Sequence, residues 1–190
     1  GLIRDVLMAA YFGAARTADV FYISFMIPNL FRRLVAEGAL TISFIPVYTE
    51  SLVHNGKDES LKLAQKVMTV QAIFMLAIIA AGMVFSPQLM KLFFARNDSP
   101  EILSLSVNLT RVMFPYLFFV GFVAFAMGYL NSHKQFFSAA IAPVLLNTGM
   151  IAGIVFFSRF FREPVYGVAF GVLLGGLLQL IIQLPYMIRE

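Results

Sequence analysis

The sequence predicts an all-α fold, a polytopic bundle of membrane-spanning helices. Of its 190 residues, 60% are hydrophobic and 13% are charged, whereas roughly 25% of a soluble domain is charged. Four runs without a charged residue cover 67–90, 112–132, 135–158 and 164–188. About 20 apolar residues in a helix cross a ~30 Å hydrocarbon core. Each of the four runs is therefore long enough to span a membrane.

Six helical segments fit the alternation of apolar runs with polar turns. Gly13 is a typical residue at a helix C-terminus. Ser99, Pro100 and Glu101 combine an N-cap, a first-turn proline and an acidic first turn, which together predict a helix start. The polar stretch 54–60 predicts a turn in water. We expect helices over approximately 1–12, 18–52, 61–94, 101–130, 136–160 and 165–188.

The sequence begins in the middle of a helical pattern. Gly1 is not an initiator Met, and no signal peptide follows it. The last residues come just after an apolar helix. We therefore expect a larger protein, of which the first helix is truncated here.

The composition argues against several classes of site. The absence of cysteine excludes disulfides and thiol ligands. His54 and His133 are far apart and fit polar positions near helix ends better than metal ligands. The net charge of +4 is scattered along the chain, unlike the basic patch of a nucleic-acid-binding protein. We expect no metal, no cofactor and no nucleic acid.

Three charges, Arg32, Arg33 and Glu37, interrupt the apolar second helix. A charge near the bilayer centre costs at least ~2.5–3.5 kcal/mol. In one interpretation, Arg33 pairs with Glu37 and Arg32 reaches the headgroups. In the other, these groups line a water-filled cavity with Arg4, Asp5 and Asp19. Converging guanidinium groups suit phosphate or pyrophosphate.

The sequence contains no recognisable catalytic set. It has no Cys-His pair, no carboxylate pair with a histidine, and no phosphate-binding Gly-rich loop with a lysine. These absences favour a carrier over an enzyme. The basic residues divide five against five between the two sides, so their count does not fix the orientation. The lysine cluster around 57–66 favours that side as cytoplasmic.

A series of motifs resembles the N-terminal part of the MurJ (MviN) family of bacterial lipid II flippases, and the resemblance extends over essentially the whole chain. The first block is long and specific. The matching stretches, in order, are Arg4-Asp5, "YFGA", Ala18-Asp19, "PNLFRR", "AEGA", "FIPVYTE", "FPYLFF", "LNSHKQF", "APVLLN" and "GVLLGGLLQLIIQLPY".

The resemblance implies a fold, a location and an activity. The family belongs to the multidrug/oligosaccharidyl-lipid/polysaccharide exporter superfamily. This chain would be its six-helix N-terminal lobe, without the C-terminal lobe, in the bacterial cytoplasmic (inner) membrane. The family carries lipid II, an undecaprenyl-pyrophosphate-linked peptidoglycan precursor, across that membrane by alternating access. The turn 54–60 would lie in the cytoplasm. Membrane lipids and cell-wall synthesis proteins would be further partners.

The resemblance also assigns roles to residues. Arg4 and Arg32 match family arginines that contact the pyrophosphate, and Arg33 lies beside them. Asp19 and Glu37 match positions important for transport. Asn29 and Asp5 are further candidates for the cavity.

Two alternatives remain at this point. One is a related exporter of another polyprenyl-linked saccharide; an exporter of cationic drugs should instead have an acidic cavity. The other is a membrane scaffold that recruits cell-wall synthesis proteins without transporting anything.

Overall fold

The computed structural model describes residues 1–13, 16–34, 40–94, 99–135 and 137–189. Within those ranges the chain forms eight α-helices and one short 3-10 helix, and no strand. This confirms the all-α fold class. The α-helices are α1 (Leu2–Phe12), α2 (Arg16–Arg32), α3 (Leu40–His54), α4 (Gly56–Phe93), α5 (Pro100–Met113), α6 (Tyr116–Ser132), α7 (Phe137–Val155) and α8 (Val165–Arg189), and the 3-10 helix is Phe157–Phe160.

Four described stretches are long and apolar enough to cross a membrane. They are Gly56–Phe93, Pro100–Ser132, Ala140–Phe160 and Val165–Met187. Each overlaps one of the four uncharged runs in the sequence. Large apolar side chains such as Phe74 and Phe85 are exposed on the surface, as expected where the surrounding solvent is lipid. The chain is a multi-pass membrane protein.

The turn between α3 and α4 is shorter than the sequence suggested. We expected a polar turn over 54–60, but α4 already begins at Gly56. Gly56 has a φ of 80°, which glycine adopts at no steric cost, so the chain reverses within one or two residues. The Ser60 hydroxyl donates to the Gly56 carbonyl at 2.8 Å and contacts the Ser51 hydroxyl at 3.0 Å. The bond to Ser51 joins α4 to α3.

The predicted helix 101–130 is two helices. α5 ends at Met113 and α6 begins at Tyr116. Pro115 has no N–H for the carbonyl four residues earlier, so the helical hydrogen-bond ladder is interrupted there, although Phe114 and Pro115 keep helical dihedral angles. The start of α5 agrees with the sequence, because the Ser99 hydroxyl accepts from the backbone N–H of Ile102 at 3.4 Å. Thus the N-cap prediction is confirmed.

The other bounds differ by less. The predicted helix 18–52 corresponds to α2 and α3, and residues 35–39 between them lie outside the described ranges. The helix predicted over 136–160 ends as α-helix at Val155 and is followed by the 3-10 helix. Pro28 and Pro46 lie inside α2 and α3.

Helices α7 and α8 approach each other through glycines. A Cβ placed on Gly171 would lie 2.5 Å from the Gly149 carbonyl oxygen and 2.9 Å from the Gly153 Cα. Only glycine allows the two backbones to come this close. Gly176 instead faces the Tyr116 ring, where a Cβ would lie 2.8 Å from Cδ2. These glycines therefore serve the close packing of the helices.

Helix α2 packs against α5 and α6, and this packing positions the candidate site. The Ser24 hydroxyl of α2 donates to the Ser106 carbonyl of α5 at 3.2 Å, and both serines are buried. The rings of Phe25 and Tyr116 lie 6.1 Å apart between α2 and α6. The opposite face of α2 is left exposed.

Candidate site for an anionic headgroup

Arg4, on α1, forms an ion pair with Asp5 and reaches toward α7. Its Nε donates to Asp5 Oδ1 at 2.9 Å, and its Nη1 points at the Met150 sulfur of α7 at 3.8 Å. The Arg4 side chain is 22% exposed and that of Asp5 is 50% exposed. The guanidinium is therefore partly shielded while the carboxylate faces outward. An incoming anion would compete with Asp5 for this arginine.

Arg32 donates a hydrogen bond to a neutral side chain. Its Nε donates to Asn29 Oδ1, one helical turn earlier on α2, at 2.9 Å. Arg32 is half-buried. An amide oxygen fixes the guanidinium without cancelling its charge, unlike a carboxylate. Asn29 therefore orients this arginine without competing with an anionic ligand for its charge.

An exposed face runs the length of α2. Its exposed residues recur every three or four positions, so they lie on one side of the helix. They are Asp19, Tyr22, Met26 and Leu30 of α2, and Arg33, which directly follows its last residue. Ser24, which contacts α5, lies on the other side. We call these five residues the α2 face.

The ion pair on α1 borders the α2 face. The phenol of Tyr22 is within electrostatic range of both Asp5 and Arg4. Arg32 follows Tyr22 by ten residues, which is about 15 Å along the helix at 1.5 Å per residue. The two arginines predicted to contact the same ligand thus flank one surface at two different depths.

The remaining predicted residues fall at separate places. Asp19 lies in the first turn of α2 and is exposed. It precedes Arg32 by 13 residues, or about 20 Å. Arg33 is exposed on the α2 face, beside Arg32 and at the opposite end from Asp19. Glu37 lies outside the described residues.

The sequence pattern indicates no role for Arg111, and the structure shows what this side chain contacts. Its Nε donates to the Met83 carbonyl of α4 at 3.2 Å and to the Ser86 hydroxyl at 3.0 Å. The proline four residues after Met83, Pro87, has no N–H for that carbonyl. Arg111 therefore satisfies a carbonyl that a proline has freed. The sequence signal for this contact is an internal proline, Pro87, in one helix and a single arginine, Arg111, in the next.

Arg111 also lies on the wrong side of α5 to join the headgroup site. It follows Ser106, the contact to α2, by five residues, and is therefore rotated by about 140° around the helix. Within the described ranges, no group of three or more His, Cys, Asp or Glu residues could hold a metal ion.

Comparison with known proteins places the chain in a family. The family model described as "Lipid II flippase MurJ" matches residues 8–190. The lipid II flippase MurJ of Burkholderia cenocepacia is 38% identical over 186 residues, which cover 97% of this chain and 36% of that protein. The probable lipid II flippase MurJ of Haemophilus influenzae is 37% identical over 195 residues, 98% of this chain and 38% of that protein.

A solved structure leads to the same family. The structure titled "Lipid II flippase MurJ, inward closed conformation" superimposes with a TM-score of 0.83 and 28% sequence identity, over 100% of this chain and 39% of that one. The chain thus spans well under half the length of these relatives. On this evidence, the chain belongs to the MurJ family.

Proposed function

We propose that this chain forms the N-terminal lobe of a lipid II flippase in the bacterial cytoplasmic membrane. The observation that carries the proposal is the placement of Arg4 and Arg32. Both are partly buried, both border the α2 face, and both have their guanidinium groups fixed by a neighbouring side chain. The relatives named as lipid II flippases support the choice of ligand.

The physical problem in this function is the charge of the ligand. A pyrophosphate cannot enter hydrocarbon without compensation, because transferring an isolated charge out of water is very costly. Guanidinium groups offer paired, charge-assisted hydrogen bonds to phosphate oxygens. The headgroup would cross along the α2 face while the prenyl tail stays in lipid.

Two arginines at different depths suit stepwise movement. The ligand would contact Arg32 near one end of α2 and Arg4 about 15 Å further along. Asp5 would close the Arg4 site again after the ligand leaves. The opposing lobe, supplied by the rest of the protein, would cover this surface and rock against it in alternating access.

The family resemblance and the lysines near the α3–α4 turn support an orientation with that turn in the cytoplasm. The mechanism requires no cofactor and no bond-making step, so the activity is transport and not catalysis. Enzymes that make or consume lipid II are the protein partners that it implies.

Complementation tests the proposal. Cells depleted of their own flippase would receive the full-length protein carrying Arg4→Ala or Arg32→Ala. Arg159→Ala is a matched control, because Arg159 is exposed and, among the residues that the structure describes, donates to the nearby Val155 carbonyl at 2.8 Å. We expect both cavity variants to fail at normal membrane levels and the control to support growth. Normal growth with Arg32→Ala would overturn the proposal.

A further inference from the structure

An open polar pocket lies between the end of α3 and the start of α4. Its volume is about 530 Å³, which is within the ~300–1,000 Å³ typical of pockets that hold small ligands. The Ser51 hydroxyl of α3 lines the pocket and accepts from the Ser60 hydroxyl of α4 at 3.0 Å. The two helices that form the walls are therefore joined to each other.

The pocket carries charges of both signs. Its charged and titratable residues are Glu50, His54, Glu59, Lys62 and Lys66. Lys62 Nζ lies 2.7 Å from Glu59 Oε1, and Glu59 is also within electrostatic range of Lys66. Two lysines and two carboxylates balance each other. The pocket is therefore complementary to a ligand that has both a phosphate and an ammonium group, rather than to a simple anion.

The pocket lies where α4 enters the membrane. Lys66 is the last charged residue before the uncharged run 67–90. At 1.5 Å per residue this run is about 36 Å long, enough to cross the ~30 Å hydrocarbon core. Because α4 already begins at Gly56, its first turns project beyond that core. The charged groups of the pocket thus lie at the depth of phospholipid headgroups.

An apolar strip continues from the pocket along α4 into the membrane span. Val70, Ile73 and Phe74 are 68%, 64% and 59% exposed. They follow Lys66 by four, seven and eight residues, which places them on the same side of the helix. Lys66 and Val70 also line one shallow groove. A charged pocket that leads into an apolar strip has the same order of polarity as a phospholipid molecule.

We propose that the α3–α4 pocket and this apolar strip bind a phospholipid with a phosphoethanolamine headgroup. The lysines donate to the phosphate oxygens, and the carboxylates accept from the N–H groups of the primary ammonium. The acyl chains lie along Val70, Ile73 and Phe74. This site is separate from Arg4 and Arg32, and the inference does not depend on which ligand the protein transports.

Binding of defined lipids to the delipidated, purified full-length protein tests this, with native mass spectrometry as the readout. Three phospholipids with identical acyl chains would be compared, which carry ethanolamine, choline or glycerol on the phosphate. The choline lipid is also zwitterionic but has no ammonium N–H, and the glycerol lipid is an anion. The variants are Lys66→Gln and the double variant Glu50→Gln/Glu59→Gln. Lys91→Gln is the matched control, because Lys91 is exposed at the other end of α4.

We expect the native protein and the Lys91→Gln control to bind the ethanolamine lipid about fivefold more tightly than the other two, the effect of one partly exposed charge pair. Lys66→Gln should weaken binding of all three lipids, because all carry the phosphate. The double variant leaves the lysines unopposed and should prefer the glycerol lipid. Equal native affinities for the three lipids would overturn the inference, and so would an ethanolamine preference that survives in the double variant.

Discussion

Arg111 on α5 donates from Nε to the carbonyl of Met83 on α4 at 3.2 Å. Pro87, four residues further along α4, leaves this carbonyl without its usual helical donor. The Ser86 hydroxyl also donates to it at 2.9 Å. Lipid contains no water that could donate a hydrogen bond to such a carbonyl, so the protein must supply the donor. The arginine therefore joins two helices at a proline.

Replacing Arg111 with Ala should destabilise the lobe, and the effect should depend on Pro87. With Pro87 present, we expect a loss of about 1 kcal/mol in the free energy of unfolding, because the Met83 carbonyl loses one of its two donors and keeps the Ser86 hydroxyl. In a Pro87→Ala background, the N–H of the new alanine can bond to Met83, and the loss should shrink. Thermal and denaturant unfolding in detergent would measure both. Equal losses in the two backgrounds would contradict this account of Arg111.

The hydrogen bond from Arg32 to the neutral side chain of Asn29 leads to a second prediction. Asn29→Asp would place a carboxylate within hydrogen-bond distance of the arginine and neutralise it. We expect binding of a pyrophosphate-linked analogue to weaken about tenfold, with little change in stability. Asn108→Asp is the control, since Asn108 is exposed on α5. Tighter binding by Asn29→Asp would show that Asn29 does not act through the charge of Arg32.

Asp5 should have the opposite effect on its own arginine. The Asp5→Asn variant keeps a side chain of similar shape but no longer competes with the ligand for Arg4. Because the pair is partly exposed, its contribution is at most about 1 kcal/mol, so we expect up to about fivefold tighter binding. Titration at low and moderate salt would measure it. Weaker binding would instead mean that the carboxylate itself contributes to the site.

The contact between α7 and α8 gives a prediction about packing alone. Gly171→Ala would push its Cβ into the Gly149 carbonyl and the Gly153 backbone. Overpacking of this kind costs about 1–3 kcal/mol, so we expect a lower midpoint of thermal unfolding. Ala80→Leu, on the exposed side of α4, should leave the midpoint nearly unchanged. An unchanged midpoint for Gly171→Ala would show that the two helices can separate freely at this position.

The apolar runs predicted the membrane spans because the length of a hydrophobic run follows directly from bilayer thickness. Local chemistry likewise predicted the cap at Ser99. Hydropathy does not encode how each helix is rotated about its axis, so the sequence could not show that the Phe25 side of α2 faces α6, or that the side with Arg33 is exposed. It also could not show that Arg4 and Arg32 lie at different depths.

Two residues of interest had no clear signal in the sequence. Tyr116 lies in a strongly apolar run, where a tyrosine is most simply interpreted as core. Its burial between α2, α6 and α8, with no hydrogen-bond partner for the hydroxyl in the described part of the chain, depends on how these helices pack. The role of Arg111 required knowing that α5 returns alongside α4 in a register that brings it to Met83. Such relations depend on contacts between helices distant in sequence.

Direct binding of lipid II, or of a short-chain pyrophosphate analogue, to the purified full-length protein tests the central claim most directly. The native protein would be compared with Arg4→Ala, Arg32→Ala and the control Arg159→Ala. We predict that both cavity variants lose most of their binding and that the control retains it. Unchanged binding in Arg4→Ala and Arg32→Ala would contradict the account, and would place the headgroup site outside the region described by this chain.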